Sequence, residues 1–277
     1  MTDRVALVTG ASRGVGKGIA VALGGAGYVV YVSGRSSGVP TDPVGGTIEE
    51  TAAAVTARGG HGVAMACDHA DDAQVQSLFE RVAAEHGRLD LLVNNLFAGP
   101  YDIVPELPFW ERSLSDWEVS IDVALRAHFV ASVYAARVMV PQGSGIIANI
   151  SSFGSRNPMF SVPYGISKAG ADKMARHMAA QLAGTGVMAL CLWLGPVRTE
   201  RVLSSGADSI EGFDLSTFES PEFPGRILAA IADDPDKARQ NGQVLIAAEA
   251  AVQYGVVDVD GSSPPSLRTV LGNPELS

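Results

Sequence analysis

Hydrophobic residues along the chain alternate between short runs typical of buried strands and longer stretches with helical spacing. Val5 to Thr9 is an apolar run that ends at Gly10, which predicts a strand buried on both faces of a sheet. Beyond a glycine-rich turn over residues 10–16, the spacing of Ile19, Ala20 and Leu23 predicts a helix. The chain therefore begins as strand, tight loop and helix.

The same alternation continues along most of the chain. The pattern predicts further strands over residues 28–33, 62–66, 89–93, 145–150, 187–194 and 243–246. It predicts helices over residues 47–58, 72–86, 114–140, 161–182 and 224–232, with Pro141 stopping the third of these. Right-handed crossovers make such a sheet parallel, with helices on both faces. We expect an α/β fold in one domain over residues 1–277: a doubly wound parallel sheet of about seven strands in a three-layer sandwich.

Two long connections interrupt this alternation. Residues 96–113 form an insert with several prolines, and residues 199–224 are rich in Gly, Ser, Asp and Phe. Both are too long for plain connections in a compact domain, so we expect an insert and a lid that together form the substrate region. Their aromatic residues predict a roomy apolar pocket: Phe109, Trp110, Phe213 and Phe218.

Composition excludes several classes of partner. The formal net charge of −10 argues against nucleic acid or an anionic membrane as the main partner, because both require basic patches. The N-terminus lacks a signal-peptide core, and no uninterrupted apolar run approaches the ~18 residues of a membrane span. We expect a cytoplasmic protein. Cys67 and Cys191 are predicted to be buried free thiols, and the scattered histidines predict no metal site.

The glycine-rich turn is the first candidate for chemistry. Its backbone N–H groups and the positive end of the following helix form a site for a pyrophosphate. The alternative is a glycine-rich turn that only joins a strand to a helix. The position of the turn, after a strand and at the start of an alternating chain, favours nucleotide binding.

Tyr164 and Lys168 lie four residues apart within a predicted helix, which places them on one face. An ammonium near a phenol favours the phenolate, so this pair is able to exchange a proton with a carbonyl or alcohol oxygen. The spacing is also common on an ordinary helix surface. Ser152 favours the catalytic interpretation, because it follows a strand at the edge where open sheets bind ligands.

These motifs together resemble the short-chain dehydrogenase/reductase superfamily over nearly the whole chain. The resemblance rests on residues 9–16 (Thr-Gly-Ala-Ser-Arg-Gly-Val-Gly), Asn94-Asn95, Ser152 and the Tyr164/Lys168 pair. Further details in the insert and near the C-terminus resemble one narrower group of that superfamily. The resemblance implies a Rossmann-like fold, Tyr164 as general acid/base, Ser152 orienting the substrate carbonyl, and Lys168 acting on Tyr164 and the nicotinamide ribose.

The resemblance also implies a set of cofactor contacts. Asp68 is similar to the residue that meets the adenine, and Asn94 lies where the fourth strand passes the adenosine. The remaining expected contacts are Gly10, Ser12, Arg13, Gly14, Val15, Gly16, Tyr164, Lys168, Gly195, Val197 and Thr199.

Charge indicates which cofactor is preferred. NAD-preferring relatives carry an acid at the end of the second strand, where this chain has Gly34. Arg35 beside it and Arg13 in the glycine turn are suited to clamp a 2′-phosphate. Either arginine alone is equally consistent with a solvated surface residue. We predict a preference for NADPH, with NAD as the alternative cofactor.

Three positions depart from the family pattern. Ala124 stands where the family has a fourth catalytic residue, an asparagine, so we expect the proton relay to Lys168 to use a backbone carbonyl, a water or His128. An unaltered pH–rate profile in His128→Ala would exclude His128. Leu194 replaces the usual proline before Gly195, and Leu96-Phe97 replaces the usual Ala-Gly.

The expected activity is NADPH-dependent reduction of an apolar ketone or aldehyde. Two alternatives remain open: NAD(P)-dependent alcohol oxidation at the same site, and a nucleotide-binding regulatory protein with weakened catalysis. The expected partners are a small apolar carbonyl or alcohol substrate and, by analogy, a second copy of the chain in a homodimer or homotetramer.

Overall fold

A computed structural model describes residues 4–97, 107–206, 208–210 and 213–276. Seven strands form one sheet in the order β3-β2-β1-β4-β5-β6-β9, and every neighbouring pair in it is parallel. These strands are β1 Val5–Thr9, β2 Val29–Gly34, β3 His61–Ala66, β4 Leu91–Asn94, β5 Gly145–Ser152, β6 Val187–Leu194 and β9 Val244–Ile246; β7 Ser209–Ile210 and β8 Phe213–Asp214 form a separate small hairpin.

Helices connect the strands and cover both faces of the sheet. They are α1 Gly14–Gly25, α2 Ile48–Ala57, α3 Asp72–His86, α4 Ser115–Trp117, α5 Arg126–Gln142, α6 Val162–Gln181, α7 Glu200–Ser204, α8 Phe223–Asp233 and α9 Ala247–Tyr254. The predicted fold class, a single-domain α/β sandwich with a parallel sheet of seven strands, is confirmed.

Burial on both faces follows from the two-residue period of a strand. In β1, Ala6 and Val8 pack into the layer that contains α1 and α8, whereas Val5 and Leu7 pack into the layer that contains α3 and α5. A strand covered on both faces needs an uninterrupted apolar run, and this is the pattern that the sequence shows.

Three details differ from the sequence-based expectation. The long helix has a π-helical segment at Glu118–Leu125 between α4 and α5. Pro141 does not stop this helix; α5 continues to Gln142 and ends where Gly143 adopts φ 76°. A proline in the last turn removes only one N–H donor, whereas a left-handed glycine redirects the chain. The C-terminal helix α9 was not predicted.

The predicted lid is more ordered than its composition indicates. It contains α7, the β7–β8 hairpin and a 3₁₀ turn at Leu215–Thr217, although residues 207, 211 and 212 lie outside the described residues. Residues 98–106, half of the predicted insert, also lie outside them. The described part of the insert contains a 3₁₀ turn at Phe109–Glu111.

One helical stretch, Ser115–Gln142, is long and apolar enough to cross a membrane by length and composition alone. Its buried side, which includes Ala131, Ala135 and Met139, packs against the sheet. The apolar character of this helix therefore has a structural explanation within the fold.

Candidate active site

The principal cavity lies at the carboxyl ends of the central strands. Successive strands are added toward one edge of the sheet from β1 to β3 and toward the other edge from β4 onward, so β1 and β4 are neighbours although β2 and β3 separate them in sequence. In open parallel sheets a crevice forms at such a switch point. Here it is a cavity of about 850 Å³, lined by the glycine turn on one side and by Ser152, Tyr164 and Lys168 on the other.

Glycines shape the wall of the cavity after β1. Gly10 and Gly14 have φ values of 63° and 56°, in the left-handed region that residues other than glycine adopt only at a cost in free energy. A Cβ atom on Gly16 would lie 2.4 Å from Nδ2 of Asn95 and 2.5 Å from the Gly10 carbonyl oxygen. That Nδ2 atom donates to the Thr9 and Gly10 carbonyl oxygens, at 3.0 and 3.1 Å, which fixes the end of β4 against the turn.

A carboxylate lies at the N-terminus of α1. The Gly14 N–H donates to Oε2 of Glu200 at 2.9 Å, across 186 residues of sequence. Glu200 belongs to α7 in the predicted lid and lines the cavity. Unpaired N–H groups and the helix dipole favour an anion at this position, so the contact shows that the turn attracts negative charge.

A chain of charged groups surrounds the end of β2. Arg13 and Arg201 both contact the Asp42 carboxylate, at 3.5 and 2.7 Å. Burial opposes ionisation of Asp42, but the Val44 N–H and both guanidinium groups lower its pKa. Arg35 is exposed and lines the cavity beside Gly34. Arg13, Arg35 and Arg201 therefore line the cavity near the end of β2, and Asp42 is paired with two of them.

Local sequence places the tyrosine–lysine pair at the start of a helix. Ser161 caps α6 by accepting a hydrogen bond from the Tyr164 N–H at 3.2 Å, and Pro163 occupies the first turn, where its missing N–H has no cost. Tyr164 thus lies in the first turn and Lys168 one turn later. The Tyr164 hydroxyl lies 2.7 Å from the Ser152 hydroxyl at the end of β5. The structure therefore brings Ser152 to the tyrosine of the Tyr164/Lys168 pair.

Aromatic rings hold the tyrosine in place. Phe97 and Phe160 pack edge to face against the Tyr164 ring, with centroid distances of 5.7 and 4.9 Å. Gly154 is essential on a third side, because a Cβ atom there would lie 2.4 Å from the tyrosine ring. Phe160 has φ 59°, an unusual conformation for a bulky residue, and strain of this kind is found mainly at functional sites.

Lys168 is half-buried next to these rings. Its Nζ atom lies 5.2 Å from the Phe97 centroid and 5.5 Å from the Tyr164 centroid, and it donates to the Ile150 carbonyl oxygen at 3.5 Å. Burial lowers the pKa of Lys168 to about 8. A group that changes charge near neutral pH is suited to proton transfer.

A second, much smaller cavity lies behind Lys168. It has a volume of about 10 Å³, room for about one water molecule, and Lys168, His128 and Ala124 are among its lining residues. Nε2 of His128 lies 3.0 Å from the Leu96 carbonyl oxygen, an acceptor, so the imidazole donates there and Nδ1 is the bare acceptor. Among the described residues this buried Nδ1 has no partner. Burial lowers the pKa of His128 to about 3, so the ring is neutral.

A buried acid supports the segment after β6. Oε1 of Glu219 accepts a hydrogen bond from the Gly195 N–H at 2.9 Å, and its backbone is paired with Pro196 and Arg198. Burial raises the pKa of Glu219 to about 8. This arrangement holds Gly195, Val197 and Thr199 against the cavity.

The structure brings together all but one of the residues predicted for the site. Asn94 lies outside the cavity wall, fully buried, and its Nδ2 donates to Asn149, Ser132 and the His128 carbonyl oxygen. Its neighbour Asn95 lines the cavity instead. Residues that line it as predicted are Gly10, Ser12, Arg13, Gly14, Val15, Gly16, Arg35, Asp68, Ser152, Tyr164, Lys168, Gly195, Val197 and Thr199.

The predicted aromatic wall is only partly correct. Phe109 lines the cavity, but Trp110 is exposed, Phe218 is buried elsewhere, and Phe213 is not part of the lining. The side chains that form the apolar wall with Phe109 are Phe97, Leu107, Met159, Phe160, Leu194 and Val202.

Sequence reasoning also missed several polar residues of the site. His69 lines the cavity beside Asp68; its Nε2 lies 2.9 Å from the Ser33 hydroxyl, and burial lowers its pKa to about 4. For Asn95 the sequence does contain a signal, because the motif has two adjacent asparagines and either one is a candidate for the cavity wall. No local pattern indicates Glu200 or Glu219, because their partners are far away in sequence.

The sequence also predicted the state of the cysteines, one of which, Cys67, lines the main cavity. Cys67 and Cys191 are both free and buried, as predicted. Within the described ranges, no group of three or more His, Cys, Asp or Glu side chains is arranged to hold a metal ion.

Comparison with known proteins places this architecture in a family. The short chain dehydrogenase family model matches residues 4–209. Mouse dehydrogenase/reductase SDR family member 1 is 41% identical over 273 residues, covering 94% of this chain and 85% of the mouse protein, which confirms the narrower resemblance as well.

Solved structures agree with this placement. A structure described as a short-chain alcohol dehydrogenase from Sinorhizobium meliloti is 30% identical with a TM-score of 0.71, covering 89% of this chain and 95% of that one. A metagenomic short-chain oxidoreductase in complex with NADP is 26% identical with a TM-score of 0.66, covering 84% and 92%. The chain therefore belongs to the short-chain dehydrogenase/reductase family and is an NAD(P)-dependent oxidoreductase.

Proposed function

We propose that the protein uses NADPH to reduce an apolar ketone or aldehyde. The observation that carries this proposal is the 2.7 Å contact between the Ser152 and Tyr164 hydroxyls at one end of a cavity whose other end is the glycine turn. Two hydroxyls this close converge on a single oxygen atom of a substrate. The adjacent Lys168 supplies positive charge where negative charge develops.

The residues of the cavity fit a dinucleotide. The turn over residues 10–16 offers backbone N–H groups, and the glycine positions leave room that a Cβ atom would fill. Asp68 would hold the adenine, the segment from Gly195 to Thr199 the carboxamide, and Lys168 the nicotinamide ribose. When bound, NADPH supplies the hydride.

Tyr164 acts as the general acid in reduction. Its hydroxyl and that of Ser152 donate hydrogen bonds to the carbonyl oxygen, and the Tyr164 proton passes to that oxygen as it becomes an alcohol. The phenolate left behind is stabilised by the Lys168 ammonium. In the direction of alcohol oxidation the same tyrosine accepts the proton, so cofactor ratio and substrate set the direction.

Because Ala124 has no polar side chain, the proton that returns to Tyr164 needs another route. The small cavity behind Lys168 fits about one water molecule, and the bare Nδ1 atom of His128 is a suitable acceptor for it. We infer that a single water held by His128 relays the proton to Lys168. Lys168 Nζ also donates to the Ile150 carbonyl oxygen at 3.5 Å, a contact that orients the ammonium group for the relay.

Arg13 and Arg35 support a preference for NADPH over NADH. Both line the cavity beside Gly34, the position at the end of β2 where an acidic side chain would repel a 2′-phosphate. Planar guanidinium groups bind phosphate in two-pronged geometry. Asp42 competes for Arg13, so the arginine must release or share this acid when a phosphate binds.

The opposite wall of the cavity supports an apolar substrate. Leu107, Phe109 and Val202 come from the insert and the lid, so these two segments contribute to the substrate region. Apolar side chains with only a few polar groups favour a hydrophobic ligand that is oriented by one oxygen.

The test is turnover of a panel of apolar ketones by the purified protein with NADPH, followed by cofactor absorbance. Tyr164→Phe removes the proton donor and keeps the ring packing, so turnover falls by about 100-fold or more while NADPH affinity is retained. Ser204→Ala, an exposed change on α7, is the control and keeps full activity. Substantial turnover by Tyr164→Phe contradicts the proposed mechanism. NADPH binding without turnover of any ketone or alcohol favours a regulatory protein instead.

Short-chain dehydrogenases typically oligomerise, and we infer a homodimer or homotetramer here. Phe129 on α5 and Ile166 on α6 are exposed apolar side chains, and covering them would be favourable. Light scattering coupled to size-exclusion chromatography measures the mass. A monomer at micromolar concentration contradicts this inference.

A further inference from the structure

Behind the tyrosine–lysine pair, α6 carries an acid that the proposed mechanism does not use. Asp172 lies one helical turn after Lys168 and is buried. A carboxyl group without partners in such a place is costly, so the neighbours of Asp172 indicate what it does.

Three donors from other elements converge on the Asp172 carboxyl group. Trp193 Nε1 donates to Oδ1 at 2.9 Å, and the Cys191 thiol donates to the same atom at 3.0 Å; both residues belong to β6. The Ser155 hydroxyl donates to Oδ2. A carboxylate accepts all three bonds, whereas a protonated acid would need an acceptor for its own hydrogen. The site is therefore built for an anion.

We propose that Asp172 is a positioning residue for the catalytic pair: its carboxylate, held by Trp193, Cys191 and Ser155, keeps the Lys168 side chain protonated beside Tyr164. The proposal rests on the proposed function of Lys168. The Asp172 carboxylate is a second charged group beside Lys168, and it lies behind the wall of the main cavity.

The groups around Lys168 leave Asp172 as the effective counter-charge. Tyr164 and Asp172 lie on the same helix, His128 faces Lys168 from α5, and Cys191 faces it from β6. The His128 ring is neutral, and burial raises the pKa of the Cys191 thiol well above its ordinary value, so the thiol is neutral too. Burial lowers the pKa of Lys168 to about 8, and Asp172 acts in the opposite direction.

The sign of the effect follows from these charges. Lys168 is charged below its pKa and stabilises the Tyr164 phenolate only in that state. Without the Asp172 charge, burial would lower the pKa of Lys168 further. The lysine would then lose its proton at a lower pH, and the decline of carbonyl reduction on the alkaline side would move to lower pH with it.

The experiment measures the charge of Lys168 directly. The chain has four lysines, Lys17, Lys168, Lys173 and Lys237, so a ¹³C-labelled lysine NMR spectrum is simple, and Lys168→Met assigns the Lys168 signal. We expect the titration midpoint of Lys168 to fall by about one pH unit or more in Asp172→Asn. Ser155→Ala is the matched control: it removes one hydrogen bond to Asp172, keeps the charge, and leaves the midpoint near the wild-type value.

The pH profile of ketone reduction supplies the second readout. Its alkaline limb moves to lower pH in Asp172→Asn and stays in place in Ser155→Ala. An unchanged Lys168 midpoint in a folded Asp172→Asn protein, shown by circular dichroism, overturns the proposal and leaves Asp172 a purely structural role. If Asp172→Asn does not fold, Asp172→Ser removes the same charge and carries the same prediction. The NMR result requires no substrate, so it is separable from failure of the proposed function.

Discussion

The two ends of the main cavity are built in different ways. The end at which we propose that the cofactor binds, called the cofactor end, consists largely of backbone: the glycine turn, the strand ends, and N–H groups at the start of α1. The end at which we propose that the substrate binds, called the substrate end, consists of side chains, including Phe97, Phe109 and Phe160, that come from separate segments. Binding a ligand through backbone N–H groups requires glycines at particular positions of one turn. An apolar wall requires only that large apolar side chains fill the space, whichever segment they come from. The first end is therefore sensitive to single atoms and the second tolerates change.

Among the variants that compare the two ends, Gly16→Ala at the glycine turn is expected to have the largest effect. The new methyl group would lie within 2.5 Å of the Asn95 side chain and the Gly10 carbonyl oxygen, so the turn must move. We expect NADPH affinity to fall by about tenfold or more, or about 1.4 kcal/mol, as measured by isothermal titration calorimetry.

Gly25→Ala is the matched control, because a Cβ atom there meets nothing within 4 Å. Both glycines lie in α1, and alanine favours helix over glycine at either position. Equal NADPH affinity in the two variants would show that the turn does not contact the phosphates.

Gly34→Asp is designed to reverse the cofactor preference. The new carboxylate would face the 2′-phosphate of NADPH and accept hydrogen bonds from the free ribose hydroxyls of NADH. A Cβ atom at Gly34 lies 3.3 Å from an Ile48 methyl group, a contact that a small shift relieves. We expect the ratio of kcat/KM values for NADPH and NADH to fall by about tenfold. Gly34→Ala adds bulk without charge, so it separates the steric effect from the effect of charge. An equal change in the kcat/KM ratio of Gly34→Ala contradicts the charge argument.

Phe160→Gly tests the substrate end. The substitution removes part of the apolar wall, so KM for an apolar ketone is expected to rise by about threefold to tenfold while NADPH affinity stays constant. Glycine at φ 59° also relieves backbone strain of about 1 kcal/mol, which partly offsets the lost packing on Tyr164. Phe160→Leu keeps apolar bulk and is expected to retain most of the affinity. A large loss of NADPH affinity in either variant would contradict the division into two ends.

The smallest effect is expected from Glu200→Gln. The Glu200 carboxylate now accepts the Gly14 N–H at 2.9 Å and carries the same charge sign as a pyrophosphate. Removing that charge is expected to strengthen NADPH binding by about twofold to fivefold, with a smaller gain at high salt. Glu80→Gln on the exposed face of α3 makes the same change in net charge and should leave affinity unchanged. Weaker NADPH binding by Glu200→Gln would instead make Glu200 a cofactor ligand.

The sequence alone determined the features that depend on near neighbours. The apolar runs of the strands, the glycine turn and the Tyr164/Lys168 spacing each lie within one strand, one turn or one helical turn. Local geometry dictates such contacts, so they are readable without a structure. The parallel, doubly wound character of the sheet followed as well, because right-handed crossovers between alternating strands and helices leave few alternatives.

Only the tertiary structure decided which side chains face the cavity and which distant groups meet. Asn94 ends β4 and faces α5 and β5, whereas Asn95, one residue later, faces the glycine turn; with side chains alternating along a strand, one residue reverses the assignment. The contacts of Glu200 with Gly14 and of Asp172 with Trp193 join separate elements. No periodic pattern encodes them, because their geometry exists only after the layers have packed.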